Sequence, residues 1–397
     1  MSLELCEMSL QQTQGLLRFT DTVLQEICCR RFSSTELYVK ALQHVLGGQG
    51  RRGPESIFIG FQKADGSIRR GRVFHLRKGK LVEGSEEIAI DTGANYAATL
   101  AIAEKQSDVV VSNWTNGGES IAMYQNFVPP EIGSVLPSPV RNFITCRISG
   151  ETPGAMIAFN FPGMATDYDA DVLRGLGVVI GSLITLSDQV RETEKAFIYT
   201  IEALARACEA AEAQTGDHIL RVNRYAGALA AASGAPVEYV EAVSFSAQMH
   251  DVGKIKIPVA IILKPGPLDE GEMELMKMHP VFGERILGDS PRLQVAREIA
   301  IAHHENWDGS GYPFGLRGDR IPLAGRIVRI ADVYDALRSR RSYKEPMSHG
   351  ETLRVFREGD DRIRPREHFD PELLRHFFSV EHMFESIYAV SERESVD

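Results

Sequence analysis

The chain has 397 residues, 43% of them hydrophobic and 25% charged, with a formal net charge of −10. That length provides for two or three ordinary domains with a large buried core, and the acidic balance argues against binding a nucleic-acid polymer, which needs a basic face to displace counterions. A small anionic substrate is still allowed, because local potential in a cleft, rather than net charge, governs what enters.

The first residues, Met1-Ser2-Leu3-Glu4, lack a basic segment followed by an apolar one, so no secretory signal is expected. The longest nearly apolar run, Gly175 to Leu186, is interrupted by glycine and serine and falls short of the roughly 20 residues that span a bilayer, so no membrane association is expected. Five cysteines are an odd number, and adjacent Cys28 and Cys29 have no metal-ligand spacing to Cys6, Cys146 or Cys208. This usage fits a reduced, cytoplasmic chain.

In chain order, Ser56-Ile57-Phe58-Ile59-Gly60-Phe61 and Arg72-Val73-Phe74-His75-Leu76 read as strands, with Asp65-Gly66 as the turn between them. Phe143 to Ile148 and Ala155 to Phe159 form a second predicted hairpin around Gly150 to Gly154, and a helix starts between Asp167 and Asp171. A sheet, a late hairpin and a helix leaving through Asp171-Val172-Leu173-Arg174-Gly175-Leu176 resemble a GAF domain over residues 16–186. The resemblance implies a sensory or dimerisation module; an α+β dimerisation module without a ligand fits the same pattern.

From Leu183 to Ala211 there is no proline or glycine, and Leu183, Val190, Phe197, Leu204 and Ala211 recur at heptad spacing, with Leu186 and Ala207 beside them. A connecting helix over 187–211 is expected. Thr193 and Thr200 weaken the seam, so a helix packed on its own domain competes with a parallel two-chain coiled coil and hence a homodimer.

Beyond Thr215 the pattern is helical, with apolar faces at Ile219 to Ala232, Val237 to Met249, Glu270 to Leu287, Leu293 to His303, Leu323 to Leu337 and Pro371 to Phe378. Strand signals are scarce, and the acidic tail after Met383 is expected to fray. The fold class is therefore multidomain: an N-terminal α+β domain, a long helix and an all-α domain over 212–382.

Five of the eleven histidines recur on predicted helices of that last domain, as His218, His250-Asp251, His279 and His303-His304, and Asp332 joins them. Imidazole and carboxylate together suit iron, manganese, zinc or nickel, and a carboxylate can bridge two ions. Any one of these histidines alone would be read as a core or surface residue. Their joint order, with His-Asp before Gly253-Lys254, a His pair before a glycine loop, and Asp332 after Ile330-Ala331, points to a metal site. His44, His75, His349, His368, His376 and His382 lack such settings and read as structural or solvent-facing.

This segment, from about Glu209 to Phe378, resembles the HD-GYP family of cyclic dinucleotide phosphodiesterases. The resemblance is carried by His250-Asp251-Val252-Gly253-Lys254-Ile255, Ile262 to Leu268, Met276 to Pro280, His303-His304-Glu305-Asn306-Trp307-Asp308-Gly309-Ser310-Gly311-Tyr312-Pro313, and Ile330 to Leu337 followed by Arg341-Ser342-Tyr343-Lys344. It implies that His218, His250, Asp251, His279, His303, His304 and Asp332 ligate two divalent ions, iron or manganese favoured, with Asp251 bridging them. Two such ions activate water and stabilise the phosphorus in an in-line displacement.

Lys254, one helical turn from His250, is expected to touch a phosphate oxygen, and a surface lysine is the competing reading. The resemblance puts Arg341 and Lys344 at the phosphates too, although their spacing alone also fits a solvated basic run with Arg338 and Arg340. Tyr312 either meets substrate or pins its loop beside the ligands. Family members with three metals carry a glutamate four residues before the histidine corresponding to His218. Here that position is Gln214, whose neutral amide cannot supply an anionic bridge, and Glu212 faces another direction, so a binuclear site is expected.

The resulting expectation is hydrolysis of cyclic di-GMP to pGpG and onward to GMP, regulated by the N-terminal domain, with proteins containing diguanylate cyclase domains as partners. Hydrolysis of cyclic GMP-AMP or another nucleotide, and a catalytically silent nucleotide or protein receptor, are the alternatives.

Overall fold

The computed structural model describes residues 34–47, 53–62, 68–91, 108–114, 121–150, 153–210, 217–339 and 345–394. The chain divides into two compact units, residues 1–194 and 195–397. The boundary falls inside the segment read as a connecting helix.

In the first unit, helix α1 (Ser34–Gly47) precedes strands β1 (Ser56–Gln62), β2 (Ile68–Arg77), β3 (Lys80–Glu83), β4 (Ile88–Asp91), β5 (Val109–Asn113), β6 (Asn142–Ile148) and β7 (Gly154–Phe159). The strands order as β3-β2-β1-β7-β6-β5, with β4 also on β2, and every pairing is antiparallel. Both predicted hairpins form, β1 with β2 (Ile57 opposite Phe74) and β6 with β7 (Thr145 opposite Ile157). The predicted turn at Asp65-Gly66 lies outside the described residues.

Side chains alternate across the sheet, as the period of two requires. Ile57, Ile59, Ile144, Cys146, Met156 and Ala158 join a core with Tyr38 and Leu42 of α1 and with Leu173, Leu176 and Ile180 of the following helix. Phe58, Val73, Phe143, Ile157 and Phe159 face the other way, onto Tyr124, Val128, Ile132 and Val140. Both faces are covered, which explains why these strands read as apolar runs.

Helix α2 (Asp167–Ala210) begins where expected. Among the described residues it is the one helix long and apolar enough to cross a membrane by length and composition, and its Leu173, Leu176, Ile180, Leu183 and Ile184 are taken up by the sheet core. Val190 packs in the first unit. In the second, Phe197 and Leu204 pack with Ile201, Ala205 and Cys208, and Phe197 lies 6.2 Å from the Phe245 ring and beneath Arg292. Four of the heptad positions, Leu183, Val190, Phe197 and Leu204, therefore pack inside the units.

The second unit continues with α3 (Asp217–Ala232), α4 (Val237–Ser246), α5 (Glu270–Met276), α6 (His279–Leu287), α7 (Gln294–Ala302), α8 (Leu323–Arg338), α9 (His349–Glu358) and α10 (Pro371–Glu394), joined by one-turn and 3-10 segments. The apolar stretch Glu270 to Leu287 is two helices, because Pro280 at the second position of α6 has no N–H to continue the preceding helix. Nor does the tail fray: α10 runs to Glu394 with a kink at Val380, and Phe384, Tyr388 and Ser391 are buried. They recur at i, i+4 and i+7, an inward face that the neighbouring acidic residues mask in the sequence.

Candidate metal centre

The ligand candidates come from the ends and inner faces of six elements. His250 ends a 3-10 turn, Ala247–Met249, and Asp251 stands at the N-cap of the next, Val252–Lys256. His279 opens α6, His303 caps the C-terminus of α7 with His304 after it, and His218 and Asp332 project from α3 and α8. The 3-10 turn after Asp251 packs against α6 so closely that a Cβ on Gly253 would lie 1.9 Å from the His279 carbonyl oxygen, so no other residue fits there.

Two sets of donors result, and Asp251 belongs to both. Ligand atoms of Asp251, His279, His303 and His304 lie within 4.8 Å of one another, and so do those of His218, His250 and Asp251. Asp251 Oδ1 is 3.2 Å from His279 Nε2 and 3.6 Å from His303 Nε2, whereas Oδ2 is 3.1 Å from His250 Nε2. Asp332 Oδ1 adds a carboxylate to the second set, 3.9 Å from His218 Nε2 and 4.0 Å from His250 Nε2.

Hydrogen bonding decides which ring nitrogens face inward. Nδ1 of His250 donates to Ala247 O (2.9 Å), Nδ1 of His279 to Met276 O (2.7 Å), and Nδ1 of His303 to Ile299 O and Ala300 O (3.2 and 3.1 Å). Nδ1 of His218 meets Asp335 Oδ2 at 2.7 Å. Each partner is an acceptor, so Nδ1 carries a proton and Nε2 is the nitrogen left to face the centre. His279 Nε2 and His303 Nε2 lie 3.4 Å apart, an unfavourable approach of two lone pairs unless a cation lies between them. Asp251 Oδ1 and His250 Nε2 are buried with no hydrogen-bond partner. This donor set fits a divalent metal of the iron, manganese or zinc kind.

Burial and mutual charge fix the protonation of the metal-free cluster. Burial holds His303 down at about 4, helped by His250 and His279, and the same burial keeps His304 well below the usual imidazole range. Burial also works against charging His250, yet Asp251 and Asp332 outweigh it and lift that imidazole to about 9. Ligation at His250 Nε2 therefore requires a proton to leave. Burial pushes Asp251 up, but Lys254 and His250 overcome it and keep the carboxylate far below its ordinary value.

Lys254 is not on an α-helical turn from His250, because the intervening backbone is 3-10; its Nζ instead pairs with Asp251 Oδ2 at 2.8 Å. Tyr312 stacks on His304, with centroids 4.6 Å apart at 23°. The loop that delivers it is held by Glu305, which accepts Phe314 N–H (2.9 Å) and Leu316 N–H (3.0 Å), and by Asp308, which accepts Ser310 N–H. A Cβ on Gly311 would come within 2.3 Å of Asn306 N, so the loop closes only with glycine there. Arg341, Lys344, Gln214 and Glu212 lie outside the described residues.

Sequence reasoning assigned no role to Asp335, yet it is fully buried at the site's edge. Besides His218, it accepts Arg221 Nε (2.6 Å) and Nη2 (2.9 Å) and Ser339 Oγ (3.1 Å). Burial raises its pKa, but Arg221 and His218 reverse that and bring it to about 2. The available signal was the paired i, i+3 spacing of His218 with Arg221 and of Asp332 with Asp335 on two helices.

Residues 200–373 match the family described as the HD domain. A cyclic di-GMP phosphodiesterase of Vibrio cholerae is 41% identical over 243 residues, 57% of this chain and 48% of that protein. A 3′3′-cGAMP-specific phosphodiesterase of the same organism is 43% identical over 48% of this chain and 35% of its own length, and a cyclic di-GMP phosphodiesterase of Thermotoga maritima is 38% identical over 51% and 55%. The chain spans about half the length, or less, of these relatives.

Proposed function

Because the chain carries an HD domain over residues 200–373 and resembles enzymes that act on cyclic dinucleotides, we propose that its second unit is a metal-dependent phosphodiesterase. It cleaves the 3′-5′ phosphodiester of cyclic di-GMP to pGpG, and onward to GMP. The observation that carries this reading is the convergence of Nε2 lone pairs on both oxygens of one buried carboxylate, Asp251.

On this reading Asp251, His279, His303 and His304 would hold one divalent ion, and Asp251, His218, His250 and Asp332 a second, iron or manganese. Two such ions supply Lewis acidity and acidified water to a phosphodiester. Lys254, whose Nζ pairs with Asp251 Oδ2 at 2.8 Å, would turn to a phosphate oxygen if metal took over that carboxylate. Arg341 and Lys344 bind phosphate as well, the guanidinium by paired hydrogen bonds and the ammonium as a point charge. Tyr312, stacked on His304, fixes that ligand's plane and offers its ring edge to substrate.

A second reading, hydrolysis of 3′3′-cGAMP, is favoured by the 43% identity to an enzyme named for that substrate. Purified protein prepared anaerobically, analysed for metal and then assayed with cyclic di-GMP and cGAMP in parallel, tests both. About two ions per chain and turnover of cyclic di-GMP are expected under the two-metal scheme. A metal-loaded protein that cleaves neither nucleotide would make this unit a receptor.

Arg341→Ala and Lys344→Ala should retain metal and chiefly weaken substrate capture. A lost charge-assisted hydrogen bond costs roughly 1.5 to 3 kcal/mol, or about 10- to 100-fold in affinity. An unchanged Michaelis constant would make these residues a solvated basic run.

The first unit, an antiparallel sheet with helices on both faces, suits a GAF-like sensory or dimerisation module that regulates the second. Homodimerisation, docking to proteins with diguanylate cyclase domains and a cytoplasmic setting complete the proposal.

A further inference from the structure

Most arginines around the metal centre have evident counter-groups. Arg221 forks onto Asp335, Arg326 reaches Asp370 at 2.6 Å, and Arg338 lies over the Tyr388 ring at 4.2 Å. Arg329 differs: among the described residues its guanidinium pairs with no carboxylate within ion-pair distance. Its one hydrogen bond runs from Nη2 to Asn306 Oδ1 at 3.0 Å, and its Nε, like those of Arg326 and Arg338, is buried without an acceptor.

Its helix position and its hydrogen bond put it beside the donor cluster. Arg329 is one turn before Asp332 on α8, so the two share a helix face. Asn306, which holds its Nη2, is two residues beyond His304 and also donates through Nδ2 to Ser310 Oγ at 3.0 Å, tying the guanidinium to the glycine loop. His304, Tyr312 and Asp332 all feel the Arg329 charge. The Asp332 carboxylate offsets part of the Arg329 charge, and the proposed function assigns that carboxylate to metal.

With divalent cations in the cluster, a poorly solvated guanidinium beside them has no anion left among the described side chains. An anionic oxygen entering between the metal ligands and α8 supplies it. We propose that Arg329 is a substrate-binding residue that engages a non-bridging phosphate oxygen of the dinucleotide, on the His304–Tyr312 side of the centre. The inference rests on the phosphodiesterase reading for its substrate, and on the geometry alone for its anion. Arginine suits the role because Asn306 orients its plane in advance, leaving N–H groups for a forked contact.

The test uses metal-loaded wild type, Arg329→Gln and Arg329→Lys. Affinity for inorganic phosphate is measured by calorimetry, metal content by mass spectrometry, thermal midpoint by scanning fluorimetry, and cyclic di-GMP turnover by chromatography. Arg329→Gln should keep its metal and bind phosphate roughly 10- to 100-fold more weakly, the loss of one charge-assisted contact. Arg329→Lys should recover part of that affinity, since the charge returns without the fork. Phosphate affinity equal to wild type in a metal-loaded Arg329→Gln protein overturns the proposal. If Arg329→Gln loses metal or unfolds, the Lys variant decides: equal phosphate affinity, or loss of metal there too, means that Arg329 only braces Asn306. Absence of cyclic di-GMP turnover in a wild type that binds phosphate through Arg329 would reject the substrate and leave the anion site standing.

Discussion

Asp251→Asn is expected to abolish measurable turnover of cyclic di-GMP, a loss of at least about three orders of magnitude, because several kcal/mol of transition-state stabilisation depend on the ions it joins. The amide keeps the shape of the carboxylate but offers one carbonyl oxygen where two charged oxygens face His279 and His303 on one side and His250 on the other. No neighbour can substitute for both. Metal content should fall with activity, and the rise in thermal midpoint that metal gives the wild type should shrink. A variant with full metal content and wild-type rates would remove Asp251 from the centre and with it the two-ion arrangement.

Asp335→Ala should have the largest effect on stability. It strips a largely buried guanidinium, Arg221, of both its carboxylate bonds and leaves Ser339 Oγ and His218 Nδ1 without their acceptor. Breaking one side of a buried pair costs about 3 to 5 kcal/mol, a large share of the 5–15 kcal/mol that holds a typical domain together. Urea unfolding of the metal-free protein measures it. Asp335→Asn, which keeps an acceptor for Arg221, should be milder on stability yet still weaken metal binding by roughly 10- to 100-fold, the usual result when the partner of a ligating histidine is lost. The contribution has a defined pH window. A carboxylate whose folded pKa is depressed from 3.8 to about 2 stabilises fully above the higher value and loses that stabilisation as pH falls through the lower. Wild type and Asp335→Ala should therefore converge in stability toward pH 2. Equal urea midpoints at neutral pH would show that Arg221 finds another partner.

The candidate ligands stood out in the sequence because each belongs to a short local motif, and metal chemistry constrains residue type tightly. Asp335 was not, because an aspartate one turn after another on a helix looks like an exposed repeat until the partner helix supplies Arg221. Arg329 was hidden for the same reason: its lack of a counter-ion is a property of three-dimensional surroundings. In the first unit the two hairpins announced themselves by apolar strands, while β3 and β4, each four residues long and partly exposed, carry too little pattern to stand out. Phe384 and Tyr388 were obscured by their acidic neighbours, although Tyr388 donates through its hydroxyl to Arg338 O at 2.8 Å and Phe384 stacks on Tyr225 at 4.6 Å.

That last stack bears on how the second unit comes into being. Tyr225 on α3 is buried between Tyr334 of α8 and Phe384 of α10, and His218 on the same helix waits for an aspartate 117 positions further along. Helix α3 thus leaves the ribosome well before the groups that bury its aromatic face and orient its histidine have been made. Its neighbours in sequence cannot satisfy it, and closing such distant pairs comes late, after the loop entropy between them has been met. Until α8 and α10 have been made, the tyrosine of α3 lacks its two ring partners and Arg221 lacks Asp335.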